Sequence, residues 1–114
     1  MANWTTFPHE NLIAYQVARE LLQLVCEANI RDPKIRDQAM RAAQSVCLNI
    51  AEATGRASSA DQKRVYAIAR GEACEAAAAL DVAEIDGECS RDLARRARAV
   101  ALRAYALLSG LIRS

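Results

Sequence analysis

Apolar side chains recur every three or four residues along four stretches of the chain, which is the pattern of amphipathic helices. The stretches cover approximately residues 9–30, 33–54, 60–86 and 90–112. Only a few residues separate each stretch from the next. Four helices joined by short connections predict an all-α fold, an antiparallel up-down-up-down four-helix bundle.

The residues between these stretches carry start and stop signals for helices. Asp32, which is followed by a proline, is a typical capping residue for the second helix. Gly55 is expected to end that helix in the left-handed conformation, and either Ser58 or Ser59 to cap the third helix. Ser90 is expected to cap the fourth.

A line of polar side chains follows the edge of the apolar face of the second helix. At 3.6 residues per turn, all of them lie within about 60° of the first. They are Gln38, Arg41, Ser45, Asn49, Glu52 and Arg56.

Two interpretations of this line remain open. We favour a structural network of Gln38, Ser45, Asn49 and Glu52, in which Ser45 and Asn49 form hydrogen bonds within the bundle. Glu52 would then pair with Arg41 or Arg56, because buried polar groups need partners. The alternative is a binding role for the same line, with the two arginines directed outward.

The third helix has a second apolar side. Small residues form a seam nearly opposite its core-facing residues, and Gly71 lies in it although glycine destabilises a helix interior by about 0.5 to 1 kcal/mol. Close approach of another backbone is one reason for such a residue. The seam consists of Ala67, Gly71, Cys74, Ala78 and Val82. We therefore expect self-association.

Length and composition agree with a small helical protein. Of 114 residues, 53% are hydrophobic but only 4% aromatic, and Ala, Leu and Val dominate, which favours closely packed helices over a sheet sandwich. We expect an N-terminal arm over residues 1–8 and a single domain over residues 9–114. No leader pattern or membrane-spanning run is found, so a cytoplasmic protein without a membrane partner is expected.

Charge is unevenly distributed, although the formal net charge is only +1. Residues 71–90 hold six acidic side chains and no base, whereas residues 91–114 hold six arginines and one acid. A basic surface could bind the phosphates of RNA or DNA, or the arginines could simply form a solvated face. The candidate nucleic-acid-binding residues are Arg41, Arg56, Lys63, Arg64, Arg70, Arg95, Arg96, Arg98 and Arg103.

The sequence gives little support to catalysis. His9 is the single histidine, and the four cysteines lack metal-ligand spacing, which favours reduced thiols. There is no glycine-rich phosphate loop and no nucleophile with a histidine partner. We expect no enzyme activity, no cofactor, no metal site and no catalytic residues.

The chain also resembles a known family over residues 7–112. The most specific motif is RAAxSVxxNIAEAxGRxS, which begins at Arg41, and it is supported by Phe7, Gln16 and Gly71. On these residues the chain is similar to the 23S ribosomal RNA intervening-sequence protein family of bacteria, which is related to the accessory variability proteins of diversity-generating retroelements. The chain departs from the family pattern at Ala53, usually glycine, at Glu72, usually serine, and at Tyr15, usually tryptophan.

The resemblance implies a closed four-helix bundle, a homopentameric ring and no known catalysis. It also implies nucleic acid and a reverse transcriptase as partners for the retroelement branch. Our leading hypothesis is a non-enzymatic, homo-oligomeric adaptor that binds RNA or DNA and serves a reverse transcriptase or a ribosomal RNA insert. The alternative is a structural or protein-interaction module that binds no nucleic acid.

Overall fold

The computed structural model describes residues 4–114, and this part of the chain contains helices and no strand. A short 3₁₀ turn covers Pro8–Asn11. Four α-helices follow: α1 (Ile13–Glu27), α2 (Pro33–Thr54), α3 (Ser59–Ile85) and α4 (Arg91–Arg113). The predicted all-α four-helix bundle is confirmed.

The main helix contacts form a closed cycle, in which α1 packs on α2 and α4, and α3 packs on the same two helices. Arg56 and Asp61 form an ion pair close to the α2–α3 connection, and Arg41 and Glu75 form another farther from it. These two helices therefore run in opposite directions. The bundle measures 53 × 28 × 21 Å.

The core is built largely from alanines, which let the helices approach closely. The apolar face of α2 is buried at Ala39, Ala42, Val46, Ile50 and Ala53. Ile35, which continues this face toward the start of α2, is half-buried. Larger side chains fill the space between the helices in two clusters, one toward each end of the bundle. The largest fully buried side chains are Leu21, Ile50, Leu80, Leu108, Val46 and Val65.

The predicted helix starts are confirmed by hydrogen bonds at each cap. Asp32 accepts two backbone N–H groups of α2, at 2.9 and 3.3 Å. Ser58 and Ser90 each accept the N–H of the third residue that follows, at 3.1 and 3.2 Å. The cap of α3 is therefore Ser58 and not Ser59.

The prediction of one continuous helix over residues 9–30 was wrong at both ends. Leu12 is extended, with φ −81° and ψ 125°, and separates the 3₁₀ turn from α1. At the other end α1 stops at Glu27, and Asn29 adopts a left-handed φ of 49°. Asparagine tolerates this conformation better than most residues, which lets the chain turn before α2.

The prediction for Gly55 was also wrong. Its φ of −87° is right-handed, because the last turn of α2 tightens instead of reversing. The N–H groups of Gly55 and Arg56 donate to carbonyls three residues back, both at 3.1 Å. The left-handed glycine is Gly87, with φ 73°, in the α3–α4 connection.

The N-terminal arm is described from Trp4 onward, and the first three residues of its predicted range lie outside the described part. Trp4 is 80% exposed and Phe7 is also exposed. Phe7 stacks on His9, and His9 in turn meets Tyr15 edge-on at 4.7 Å between ring centroids. His9 is therefore half-buried between aromatic rings.

Candidate nucleic-acid interface

The polar line of α2 divides into a half-buried centre and two exposed ends. Asn49 Nδ2 donates to the backbone oxygen of Ser45 at 2.8 Å and to its Oγ at 2.9 Å. Ser45 and Asn49 thus bond to each other. Both bonds lie within one helix, however, so they satisfy the amide without joining α2 to another helix.

Arg41 lies at one exposed end and reaches across to α3, where it does not meet Glu52. Its Nη2 donates to Glu75 Oε1 at 2.7 Å, and its Nη1 lies 3.5 Å from Glu72 Oε2 without forming a hydrogen bond. Of the two partners expected for Glu52, the structure pairs it with Arg56, and Arg41 contacts α3 instead. Gln38 lies in the same groove as Glu75.

The pKa values of the two glutamates beside Arg41 are shifted in opposite directions. Burial raises the pKa of Glu72, with a further contribution from Glu75. The hydrogen bond from Arg41 lowers the pKa of Glu75. Within the described residues, the buried Oε2 of Glu72 has no hydrogen-bond partner. Arg41 is therefore committed to a carboxylate pair and is a poor candidate for binding phosphate.

The other end of the polar line is an ion-pair cluster at the α2–α3 connection. Arg56 donates to Glu52, which raises the pKa of the arginine, and lies 3.3 Å from Asp61 Oδ2. Arg64 also pairs with Asp61, at 2.9 Å. Lys63 is half-buried beside them and forms no ion pair with residues 4–114. Glu52 and Asp61 therefore offset much of the positive charge of this cluster.

Arg70 is used within the bundle. Its Nη1 donates to Ser109 Oγ at 3.1 Å, and its guanidinium carbon lies 5.2 Å from the centroid of the Tyr105 ring. Both partners belong to α4, so Arg70 joins α3 to α4.

The remaining candidates lie on α4, and all are exposed: Arg95, Arg96, Arg98 and Arg103. In the described part of the chain, none of them forms an ion pair or a hydrogen bond. At 100° per residue, Arg95 and Arg98 lie toward α3, whereas Arg96 and Arg103 lie toward α1. The structure thus separates four uncompensated arginines from four that are held by other side chains.

A groove between α3 and α4 adjoins Arg98. Its volume is about 130 Å³, and we call it the α3–α4 groove; it is lined by Cys74, Ala77, Asp81, Arg98, Ala101, Leu102 and Tyr105. Leu102 and Tyr105 were not identified from the sequence as exposed residues. Their spacing from Arg98, four and seven residues, places all three on one helix face and could have indicated the groove.

The described residues offer little for other chemistry. They include no group of three or more histidine, cysteine or acidic side chains that could hold a metal ion. All four cysteines are free thiols, and burial raises the pKa of Cys47. No helix in residues 4–114 is long and apolar enough to cross a membrane.

Comparison with known families agrees with the resemblance in the motif around α2. The profile of the 23S rRNA-intervening sequence protein family matches residues 10–110. The chain belongs to this family. The residues that match the 23S rRNA-intervening sequence proteins extend through all four helices, from the 3₁₀ turn to the last turn of α4. The predicted resemblance to this family is confirmed.

A solved structure has the same fold. It is a protein of unknown function from the S23 ribosomal protein family of Bacteroides thetaiotaomicron, with a TM-score of 0.79. The match covers 89% of this chain and 99% of that one, at 20% sequence identity, so it supports the fold alone. No curated protein matches the sequence. The predicted link to retroelement accessory proteins stays a prediction.

Proposed function

We propose that this protein is a non-enzymatic adaptor that binds the phosphates of RNA or DNA through the exposed side of α4. The observation that carries the proposal is the contrast among its basic residues. Among the candidates, Arg41, Arg56 and Arg64 pair with acids, whereas Arg95, Arg96, Arg98 and Arg103 on α4 have no acidic partner among the described residues.

Uncompensated arginines suit phosphate binding for a physical reason. A guanidinium that replaces counterions around a nucleic acid releases them to solution, and this release drives binding that weakens as salt rises. An arginine already paired with a carboxylate must first lose that partner. Phosphate contacts position the nucleic acid but carry no sequence information, so we propose no sequence specificity.

The name of the family supports a role near ribosomal RNA inserts, and the resemblance to retroelement accessory proteins leads us to propose a reverse transcriptase as a further partner. We propose that the protein acts as a homo-oligomer, pentameric by the resemblance. The small-residue seam on α3 supports self-association: all five of its members are exposed in the single chain, and a Cβ added at Gly71 would meet nothing within 4 Å. Repeated α4 surfaces in an oligomer would strengthen weak individual contacts through avidity.

The exposed seam also favours a second candidate, an interaction module whose charges serve assembly alone. Residues 72–88 supply six acids, and the basic side of α4 from an adjacent copy could meet them. In that case the arginines would be covered by protein and would not bind nucleic acid.

A binding titration separates the two candidates. Fluorescence anisotropy at low salt would compare the wild type with a variant carrying Arg95→Gln, Arg96→Gln, Arg98→Gln and Arg103→Gln. The control removes four exposed basic charges elsewhere, of which only that of Arg36 is paired within residues 4–114, with Asp37 at 3.4 Å: Arg19→Gln, Arg31→Gln, Lys34→Gln and Arg36→Gln. Structured RNA and duplex DNA serve as probes.

We expect the α4 variant to lose most binding to both probes while the control retains it. Equal losses in the two variants would show a non-specific charge effect, and no binding by the wild type at low salt would favour the assembly module. Light scattering at micromolar concentration tests self-association separately, and a purely monomeric protein would contradict that part of the proposal.

A further inference from the structure

The α3–α4 groove combines an apolar floor with charge at its rim, directly beside the arginines proposed to hold phosphates. Leu102 is 52% exposed and Tyr105 is 41% exposed, although both are large apolar side chains. Ala77 and Ala101 leave room between them. Exposed apolar surface of this kind, next to charged groups, is typical of binding surfaces.

The Tyr105 ring is held in place by its neighbours. Arg70 lies over the ring, 5.2 Å from its centroid, and is itself fixed by the hydrogen bond to Ser109 at 3.1 Å. Ser109 is only 7% exposed, so the contact is anchored in the bundle. A ring whose position is already fixed loses little conformational entropy when a ligand packs against it. Arg70 is thus a positioning residue for Tyr105.

The charged groups at the rim are available to a ligand. Arg98 and Asp81 both line the groove, yet they form no ion pair with each other or with any other described residue. An arginine at this place can hold a phosphate, and a carboxylate can accept an N–H group from the edge of a base. The volume of about 130 Å³ is below the roughly 300 to 1,000 Å³ of pockets for larger ligands, so one planar ring suits it better than a whole cofactor.

We propose that the α3–α4 groove binds one unpaired base of single-stranded RNA or DNA. The base packs against Tyr105 and Leu102, its edge donates to Asp81, and the adjoining phosphate lies at Arg98. This inference rests on the proposed binding of nucleic acid by α4. Bases in a duplex are stacked on one another and cannot enter, so the groove favours single strands.

Three fluorescent probes test the proposal with the full chain: a mixed-sequence single-stranded DNA, the same strand with abasic sites along its length, and its duplex. The abasic strand keeps the phosphates but lacks the rings. We expect the wild type to bind the intact single strand more tightly than the abasic strand. Tyr105→Leu should weaken binding of the intact strand by about 5- to 100-fold and leave the abasic strand and the duplex unchanged.

A second pair of variants covers the case in which Tyr105→Leu disturbs the fold. Leu102→Ala removes apolar surface from the groove, and Leu48→Ala removes the same side chain from an exposed place on α2. Only Leu102→Ala should weaken binding of the intact strand. Circular dichroism would verify that each variant remains helical.

The outcomes distinguish the two proposals. Equal binding of the intact and abasic strands, unchanged by Tyr105→Leu and Leu102→Ala, would overturn the groove proposal and leave phosphate binding by α4 in place. If no probe binds the wild type at low salt, the proposed function fails, and the groove proposal fails with it.

Discussion

Arg41 of α2 donates a 2.7 Å hydrogen bond to Glu75 of α3, and this contact divides two neighbouring carboxylates into different roles. Glu75 is held ionised by the arginine, which lowers its pKa. Glu72 is more buried and has its pKa raised, first by burial and then by Glu75. Arg41 therefore stabilises the ionised form of Glu75, whereas it does not offset the cost of burying the charge of Glu72.

We predict that Glu72→Gln and Glu75→Gln change stability in opposite directions at neutral pH. Because the folded-state pKa of Glu75 is lowered, its contribution is present above its unfolded-state pKa and is lost as pH falls through the folded value. Glu75→Gln should therefore lower the free energy of unfolding by about 0.2 to 1 kcal/mol. The raised pKa of Glu72 means that its ionised form is unfavourable in the fold, so Glu72→Gln should raise the free energy of unfolding by about 0.5 kcal/mol.

Urea denaturation at neutral pH and at a pH of about 4 tests this pair. The benefit of Glu72→Gln should shrink at the lower pH, where Glu72 itself becomes protonated. The loss caused by Glu75→Gln should shrink as well. Destabilisation by both substitutions at neutral pH would show that Glu72 is a stabilising ion-pair partner of Arg41.

Adjacent serines before α3 give a matched test of helix capping. Ser58 accepts the N–H of Asp61, and Ser59 forms no such bond. Ser58→Ala should lower the free energy of unfolding by about 1 kcal/mol, whereas Ser59→Ala should change it little. Thermal unfolding of the two variants provides the comparison, and equal effects would contradict the assignment of the cap.

Glu88 joins the two connections at one end of the bundle. Its Oε2 accepts the backbone N–H groups of Arg31 and Asp32, at 2.9 and 3.2 Å. We predict that Glu88→Ala lowers the free energy of unfolding by about 1 to 3 kcal/mol, because it leaves two N–H groups without their acceptor. Glu88→Gln keeps an acceptor oxygen and should lose less. Similar values for the alanine and glutamine variants would mean that charge, not the two hydrogen bonds, is what matters.

Alanine substitution should change the stability of the protein in opposite directions at two glycines. Gly71 is an exposed helical residue with open space around its Cα, so Gly71→Ala should raise the free energy of unfolding of a single chain by about 0.5 to 1 kcal/mol. Gly87 has a φ of 73°, which alanine adopts poorly, and Gly87→Ala should destabilise by about 1 kcal/mol. Chemical denaturation measures both.

The same Gly71 substitution reports on self-association. If the α3 seam packs against another copy, the added methyl group should weaken the oligomer while the single chain becomes more stable. Sedimentation at several concentrations would detect this. An oligomer that is unaffected by Gly71→Ala would place the interface elsewhere.

Local patterns in the sequence were enough to predict four helices and the starts of α2, α3 and α4. Asp32, Ser58 and Ser90 form caps with partners only two or three residues away, so the signal and its partner lie in the same short segment. The ends of helices were less predictable. Asn29 and Gly55 show why, since either a left-handed residue or a tightened last turn can end a helix, and tertiary packing selects between them.

The candidate site was predicted by residue type but not by environment. The sequence marks nine basic side chains, and only the fold shows that Arg41 meets Glu75 and that Arg70 meets Ser109, at separations of 34 and 39 residues. Such long-range partners leave no local periodic signal. The arginines of α4 stand out only after the others have been assigned to their partners.

The salt dependence of binding tests the central claim most directly. The logarithm of the association constant for duplex DNA should fall linearly with the logarithm of salt concentration. This negative slope should become less steep by about one for each contacting arginine of α4 that is replaced by glutamine. The same replacements at Arg19, Arg31, Lys34 and Arg36 should leave the slope unchanged. A slope that is identical for wild type and the α4 variant would contradict the proposal that α4 binds nucleic-acid phosphates.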